Sequence, residues 1–302
     1  MHDYIPWSGM TKEQERFEMD GNEQLHKIQR PEGVRAALMK MLPECFIGAA
    51  LSMLVWASPS WAAMHTESVT YSQGGTTLVG YLAYDDSIKT PRPAVLIVPE
   101  YWGVSDYIKS RTAQVASLGT IAFAADIYGN GLVAKDRNEA RALSTQFMKG
   151  DRKLLLDRVN AAMQTLQSNP LTDKQKVAAI GYCFGGTAVL ELARSGSPIN
   201  GVVGFHCKLD TPRPAGPGSI KTKILVLEGA DDPSVPKSQI SSFMDEMKNA
   251  QADWQMVLYG GAVHSFTNPS SGSNPASGSA YNEKADKRSW EHMKLFFAEI
   301  FK

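Results

Sequence analysis

The chain has 302 residues, with 31 basic and 31 acidic side chains and therefore no formal net charge at neutral pH. It lacks the basic excess that indicates nucleic-acid binding, and its three cysteines are too few for a disulfide framework. Its length and its hydrophobic content of 43% are sufficient for one large domain or two small ones with a sizeable core.

The first 62 residues differ in composition from the rest. Residues 1–38 are polar and charged without an apolar period, so we predict that they are disordered or belong to an over-long reading frame that really starts at Met39. Residues 39–62 have the basic, apolar and small-residue regions of a signal peptide, with cleavage after Ala62. The mature protein, 63–302, would then be periplasmic or secreted. If the segment stays uncleaved, residues 41–63 would anchor the chain in a membrane.

Short apolar runs and amphipathic segments alternate along the rest of the chain. A hairpin is predicted over 67–72 and 76–83, around Gly74-Gly75. The other predicted strands are 93–98, 121–125, 177–180, 201–206, 223–228 and 254–259. The predicted helices are 105–118, 136–148, 151–167, 187–194, 236–249 and 281–300.

This alternation of strands and helices predicts an α/β fold, with a mostly parallel sheet covered by helices on both faces. Ligands of such sheets bind at the carboxyl ends of the strands. Residues 268–279, rich in Ser, Gly, Asn and Pro, are predicted to form a mobile loop near that edge.

The most informative motif, Gly-Tyr-Cys-Phe-Gly-Gly, occupies 181–186, between a predicted strand and a predicted helix. Gly181 and Gly185 permit a sharp turn that places the Cys183 sulfur above the sheet edge and over the free N–H groups of a helix N-terminus. The motif therefore predicts a nucleophile elbow with sulfur in place of the usual serine oxygen. The alternative interpretation is a buried structural cysteine beside a tight turn.

Two later loops supply partners for a cysteine nucleophile, which needs a base and a carboxylate that orients the base. The loop after strand 223–228 contains Asp231 and Asp232, and the loop after the last predicted strand contains His264. We predict Asp232 and His264 as the partners, which gives the chain order nucleophile, acid, histidine. Asp231 is the competing acid, Asp232 could instead cap the following helix, and His206 is the rival histidine.

Three short motifs carry a family resemblance. They are Gly181-Tyr182-Cys183-Phe184-Gly185-Gly186, Asp232-Pro233-Ser234-Val235-Pro236 and His264-Ser265-Phe266. Together they resemble the dienelactone hydrolase family, over roughly residues 67–301. The resemblance implies an α/β-hydrolase fold and a Cys-His-Asp triad. It thereby implies hydrolysis of an ester or lactone through an acyl-thioester.

The same resemblance implies roles for residues outside the triad. Glu100, in the loop after strand 93–98, would interact with the thiol and help to control its ionisation. The backbone N–H groups of Phe184 and Tyr101 would form the oxyanion hole.

Departures from the family pattern affect the expected substrate. Members specific for dienelactone carry arginines where this chain has Asn130 and Thr267-Asn268. Because these two cations would grip the substrate carboxylate, a neutral ester or lactone fits better here than dienelactone itself. Lys208 and Lys135 are basic residues that could approach the site instead. The expected substrate-pocket residues are Tyr128, Asn130, Phe266 and Asn268.

The expected partner is a small-molecule ester or lactone, with no cofactor, metal, nucleic acid or stable membrane partner, and the protein is expected to be a monomer. Two alternative functions remain open. One is a thiol-redox protein that uses Cys183 and Cys207, since an oxidising compartment would allow the two to pair. The other is a binding protein that kept the fold without catalysis.

Overall fold

The structure is a computed structural model that describes residues 64–302. Its strands are β1 (Met64–Gln73), β2 (Thr76–Asp85), β3 (Arg92–Val98), β4 (Ile121–Ala124), β5 (Thr172–Tyr182), β6 (Gly201–Phe205), β7 (Lys223–Gly229) and β8 (Trp254–Tyr259). Its helices are α1 (Asp106–Ala116), α2 (Arg137–Met148), α3 (Lys153–Ser168), α4 (Phe184–Arg194), α5 (Lys237–Asn249) and α6 (Glu283–Ile300). The predictions for 1–38 and for the signal peptide or anchor lie outside the described residues.

The eight strands form a single sheet in the order β1-β2-β4-β3-β5-β6-β7-β8. β1 and β2 pair antiparallel along their whole length, and β2 is also antiparallel to β4. The neighbours from β4 onward pair in parallel. The predicted N-terminal hairpin and mostly parallel sheet are therefore confirmed.

Each face of the sheet carries its own hydrophobic core, because successive side chains of a strand point to opposite faces. In β3, Ala94, Leu96 and Val98 join the core under α3, α4 and α5, whereas Val95 and Ile97 join the core under α1 and α6. Burial on both faces explains why the central strands are almost continuously apolar in the sequence.

Three elements start three or more residues earlier than the sequence predicts. β1 starts at Met64 instead of residue 67. β5 starts at Thr172 instead of residue 177, since Thr172 pairs with Arg92 of β3 across an irregularity in register. α4 starts at Phe184 instead of residue 187, because the helix begins directly after Cys183. In the part of the chain that the structure describes, no helix is both long enough and apolar enough to cross a membrane.

Candidate active site

Cys183 sits in a sharp turn between β5 and α4. Its backbone has φ 54° and ψ −115°, a conformation that L-residues rarely adopt. A methyl group on Gly181 would overlap the Gly185 carbonyl, and one on Gly185 would overlap the end of β3. The two glycines are thus required by close backbone approach, and the turn presents a partly exposed thiol at the carboxyl edge of the sheet.

The structure brings His264 and Asp232 to this thiol from two other loops. The Nε2 atom of His264 lies 3.0 Å from the Cys183 sulfur. Its Nδ1 atom lies 2.7 Å from Oδ2 of Asp232, whose carboxylate is fully buried. The second carboxylate oxygen of Asp232 accepts the Ser234 N–H at 2.7 Å, which fixes its orientation. The three side chains therefore form a continuous hydrogen-bonded chain.

The charges around His264 favour its protonated form. Burial alone would lower the pKa of this imidazole, but the adjacent Cys183 and Asp232 together raise its pKa well above the usual value. An imidazolium between a thiolate and a carboxylate is the charge arrangement that activates a cysteine nucleophile.

The competing residues lie elsewhere. Asp231 is exposed and accepts the Gly261 N–H at 3.0 Å, away from the imidazole. Helix α5 starts beyond Pro236 without a side-chain cap, so Asp232 does not cap it. His206 is fully buried behind His264, with the two rings edge to face at 5.4 Å. Burial lowers the pKa of His206 well below its usual value, so this ring stays neutral.

Glu100 is buried near His264, where two side-chain donors hold its carboxyl group. Its Oε2 accepts the Asn268 side-chain amide at 2.8 Å, and its Oε1 lies 3.4 Å from the Ser265 hydroxyl. Burial raises the pKa of this carboxyl, although these two donors and the nearby His264 act in the opposite direction. Neither of these hydrogen bonds goes to Cys183, and the expected influence of Glu100 on the ionisation of the thiol stays a prediction.

The two residues expected to supply the oxyanion hole both line the same cavity as the thiol. Phe184 is the first residue of α4, so its N–H has no partner within the helix. Tyr101 follows Glu100 after β3, and its carbonyl oxygen accepts the Tyr128 hydroxyl at 2.8 Å. Tyr128 therefore fixes the peptide that follows Tyr101, next to the one that carries the Tyr101 N–H.

The triad opens into a cavity of about 930 Å³. Of the four expected pocket residues, Asn268 lines this cavity, whereas Tyr128, Asn130 and Phe266 do not. Tyr128 packs against Phe184 and supports Tyr101, Asn130 is exposed in a turn, and Phe266 is fully buried against His206. The expectation for these three residues is corrected accordingly.

Cys207 is a poor partner for redox chemistry with Cys183. Both cysteines are free thiols, and Cys207 is fully buried. Burial and the nearby Glu228 raise the pKa of the Cys207 thiol well above its usual value, which disfavours the thiolate needed for disulfide exchange. No group of three or more His, Cys, Asp or Glu side chains converges on a possible metal position among residues 64–302.

Comparison with known proteins agrees with this geometry. A family model described as the dienelactone hydrolase family matches residues 78–301. The chain belongs to the dienelactone hydrolase family. Among solved structures, m3DLH is 38% identical, with a TM-score of 0.75 over 80% of this chain and 100% of that protein. The dienelactone hydrolase-like promiscuous phosphotriesterase P91 from metagenomic libraries is 38% identical, with a TM-score of 0.73 over 79% and 99%.

A curated relative from Yersinia pestis, provisionally named a carboxymethylenebutenolidase, is 25% identical over 246 residues, which cover 78% of this chain and 89% of that protein. The family and its α/β-hydrolase fold make this protein a hydrolase of the dienelactone hydrolase type.

Three contributions to this family site escaped sequence reasoning. Ser265 and Asn268 hold Glu100 in the structure, but the sequence shows only that they follow His264. The wall that α2 contributes to the cavity was also missed, although Arg137 and Arg141 have the four-residue spacing of one helix face. That spacing could have indicated a common orientation, but not the cavity that the side chains face.

Proposed function

We propose that this hydrolase cleaves carboxylic esters or lactones with Cys183 as nucleophile, His264 as acid and base, and Asp232 as the residue that orients His264. The observation that carries the proposal is the chain of two short contacts, 3.0 Å from sulfur to imidazole and 2.7 Å from imidazole to carboxylate, at the edge of an open cavity.

In the first half-reaction, the Cys183 thiolate attacks the carbonyl carbon, a C–S bond forms, and the carbonyl oxygen becomes an oxyanion. The backbone N–H groups of Phe184 and Tyr101 would stabilise that charge, each donor contributing about 10²–10³ in rate. When the C–O bond breaks, the leaving oxygen takes the proton from Nε2 of His264, which leaves an acyl-thioester on Cys183.

In the second half-reaction, His264 removes a proton from a water molecule, and the resulting hydroxide adds to the thioester. The C–S bond then breaks and releases the carboxylic acid product. The proton taken from water makes His264 an imidazolium again, and C–S cleavage returns the negative charge to Cys183, so the starting state is restored. Asp232 keeps Nδ1 protonated throughout, so that Nε2 always faces the reaction.

Substitution of the nucleophile tests this proposal. Cys183→Ala should abolish hydrolysis of 4-nitrophenyl acetate, since the oxyanion hole alone gives only a small residual rate. Cys207→Ala is the matched control, because it removes the other described thiol from a position outside the cavity. Full activity in Cys183→Ala, with loss in Cys207→Ala, would overturn the assignment.

The location of the protein is also a proposal and rests on the sequence alone. The apolar segment before Ala62 and the small residues at the cleavage position support export to the periplasm or the medium.

A further inference from the structure

One wall of the cavity is a stripe of polar and basic side chains on α2. The lining residues of this helix are Arg137, Arg141, Ser144, Thr145 and Met148. Their spacing places them on one helix face. Lys149 follows at the end of the helix, and Lys208, which comes after β6, contributes a further cation to the lining. We call Arg137, Arg141, Lys149 and Lys208 the cationic rim.

The cationic rim is not neutralised by the protein. Among residues 64–302, no carboxylate lies within ion-pair distance of any of its four side chains, although many other basic residues are paired. The two acids of α2 and its cap are engaged elsewhere. Asp136 accepts the N–H groups of Asn138 and Glu139, and Glu139 accepts that of Lys135.

The acid in the cavity lining is also already engaged. Asp210 binds the guanidinium of Arg152 at 2.5 Å, and this guanidinium also contacts the buried Glu191 at 3.1 Å. Glu191 is shared with Arg194, which also binds Glu246 at 2.8 Å. These acids are therefore bound by Arg152 and Arg194, and none of them forms an ion pair with the cationic rim. A positive field in a partly enclosed cavity raises the local concentration of anions.

Another part of the cavity lining is rich in hydroxyl groups. Ser265, Ser270, Ser271, Ser277 and Ser279 line it between His264 and α6. Few large aliphatic side chains face the cavity, so the lining does not suit a long acyl chain.

We propose that the cationic rim binds an oxyanion group, a carboxylate or a phosphate, on the part of the substrate remote from the reacting carbonyl. The preferred substrates are then esters or lactones that carry a negative charge. This inference rests on the proposed hydrolase function and names its substrate class. It replaces the neutral substrate expected from the sequence, because α2 supplies cations at positions other than Asn130 and Asn268.

Two matched esters test the inference: 4-nitrophenyl hydrogen adipate, which ends in a carboxylate, and its methyl ester, which is neutral. The wild-type protein should favour the charged ester by about ten-fold in kcat/KM, mainly through KM, because charge-assisted contacts are made to the bound substrate in its ground state as well. The preference should shrink at high ionic strength, since the cations of the rim are exposed.

The variant Arg137→Gln/Arg141→Gln should lose most of that preference, because its kcat/KM should fall much more for the charged ester than for the neutral one. Lys135→Gln is the matched control, since Lys135 is an exposed cation two residues before α2 that does not line the cavity. Succinate and inorganic phosphate, added as competitors, distinguish the two kinds of oxyanion: the stronger inhibitor of the charged ester identifies the group that the rim binds.

Equal rates for the two esters in the wild type, or equal losses on both in the double variant, would overturn the substrate inference and leave the hydrolase function intact. Failure of the wild type to cleave either ester, or cleavage of both esters by Cys183→Ala at the wild-type rate, would instead overturn the proposed function.

Discussion

At the scale of single residues, the site depends on side chains held in states that they would not adopt in water. Cys183 has a positive φ, at a cost of about 1–3 kcal/mol for a residue other than glycine. Glu100 and Asp232 are carboxyl groups buried within a few residues of strand ends. These unfavourable states lower the free energy of unfolding, and they accompany the arrangement of a thiol, an imidazole and a carboxylate in one chain of hydrogen bonds.

Glu100 gives a prediction about pH. Burial raises the pKa of Glu100, so the folded protein holds this proton at higher pH than the unfolded chain. The stability that the proton provides is therefore fully present below the usual carboxyl pKa of roughly 4.3 and is lost as the pH rises through the folded value. Glu100→Gln imitates the protonated form and should be more stable than the wild type near neutral pH.

The measurement is the free energy of unfolding in urea at several values from about pH 4 to about pH 8, with the advantage of Glu100→Gln growing as the pH rises. Glu67→Gln serves as an exposed control on β1. An advantage of Glu100→Gln that is the same at every pH, or a variant less stable than the wild type at pH 8, would contradict this account of the buried carboxyl.

At the scale of elements, the turn from β5 to α4 carries Cys183, the proposed nucleophile. The turn is tight because α4 starts immediately after Cys183 and because its first residues lie against the end of β3. Only glycine fits at 181 and 185, and these two glycines therefore make the turn recognisable in the sequence.

Because of this close approach, we expect alanine substitution at two glycines to lower the free energy of unfolding by different amounts. Gly185→Ala should lower the free energy of unfolding by roughly 1–3 kcal/mol, because the added methyl group overlaps the carbonyl group of Val98. Gly260→Ala is the control, since no atom lies within 4 Å of the corresponding methyl position and its φ is not positive. Thermal or urea unfolding of both variants checks this, and equal stability of the two would contradict the packing described for the elbow.

Elements were predictable where local chemistry determines them. The alternation around Gly74-Gly75, the apolar run of β3 and the elbow motif each identify their own structure, and the structure contains all three. β5 extends back to Thr172 because Thr172 pairs with Arg92 of β3, which is distant in the sequence. This extension was not predictable, since the residues there are polar and only the pairing makes them part of the strand. The exclusion of Phe266 from the cavity depends likewise on packing against His206, which no local pattern reveals.

At the scale of the whole molecule, the parallel sheet explains how residues more than eighty positions apart meet. Cys183, Asp232 and His264 follow β5, β7 and β8, whose carboxyl ends lie along one edge. Chain order and strand direction were therefore enough to predict that these three side chains meet, whereas their role as a catalytic triad stays a proposal. The cationic rim was not predictable in this way, because α2 reaches the cavity from outside the sheet.

The described domain should also be sufficient for function. Both hydrophobic cores and the family match lie within residues 64–302. A chain that starts at Met64, close to the predicted cleavage after Ala62, should fold and keep kcat/KM for 4-nitrophenyl acetate within about two-fold of the longer chain. Circular dichroism and initial rates check this. A shortened chain that is unfolded or inactive would show that the residues before Met64 are needed for folding or for activity.

Cys183 is proposed to carry the acyl group during turnover, and mass spectrometry of the protein quenched during reaction with 4-nitrophenyl acetate can detect that group. After acid quenching and proteolysis, we expect an acetyl group on the peptide that contains Cys183, and its disappearance once the substrate is consumed. Turnover without any acylated Cys183, or a kinetically competent acetyl group on another residue, would contradict it.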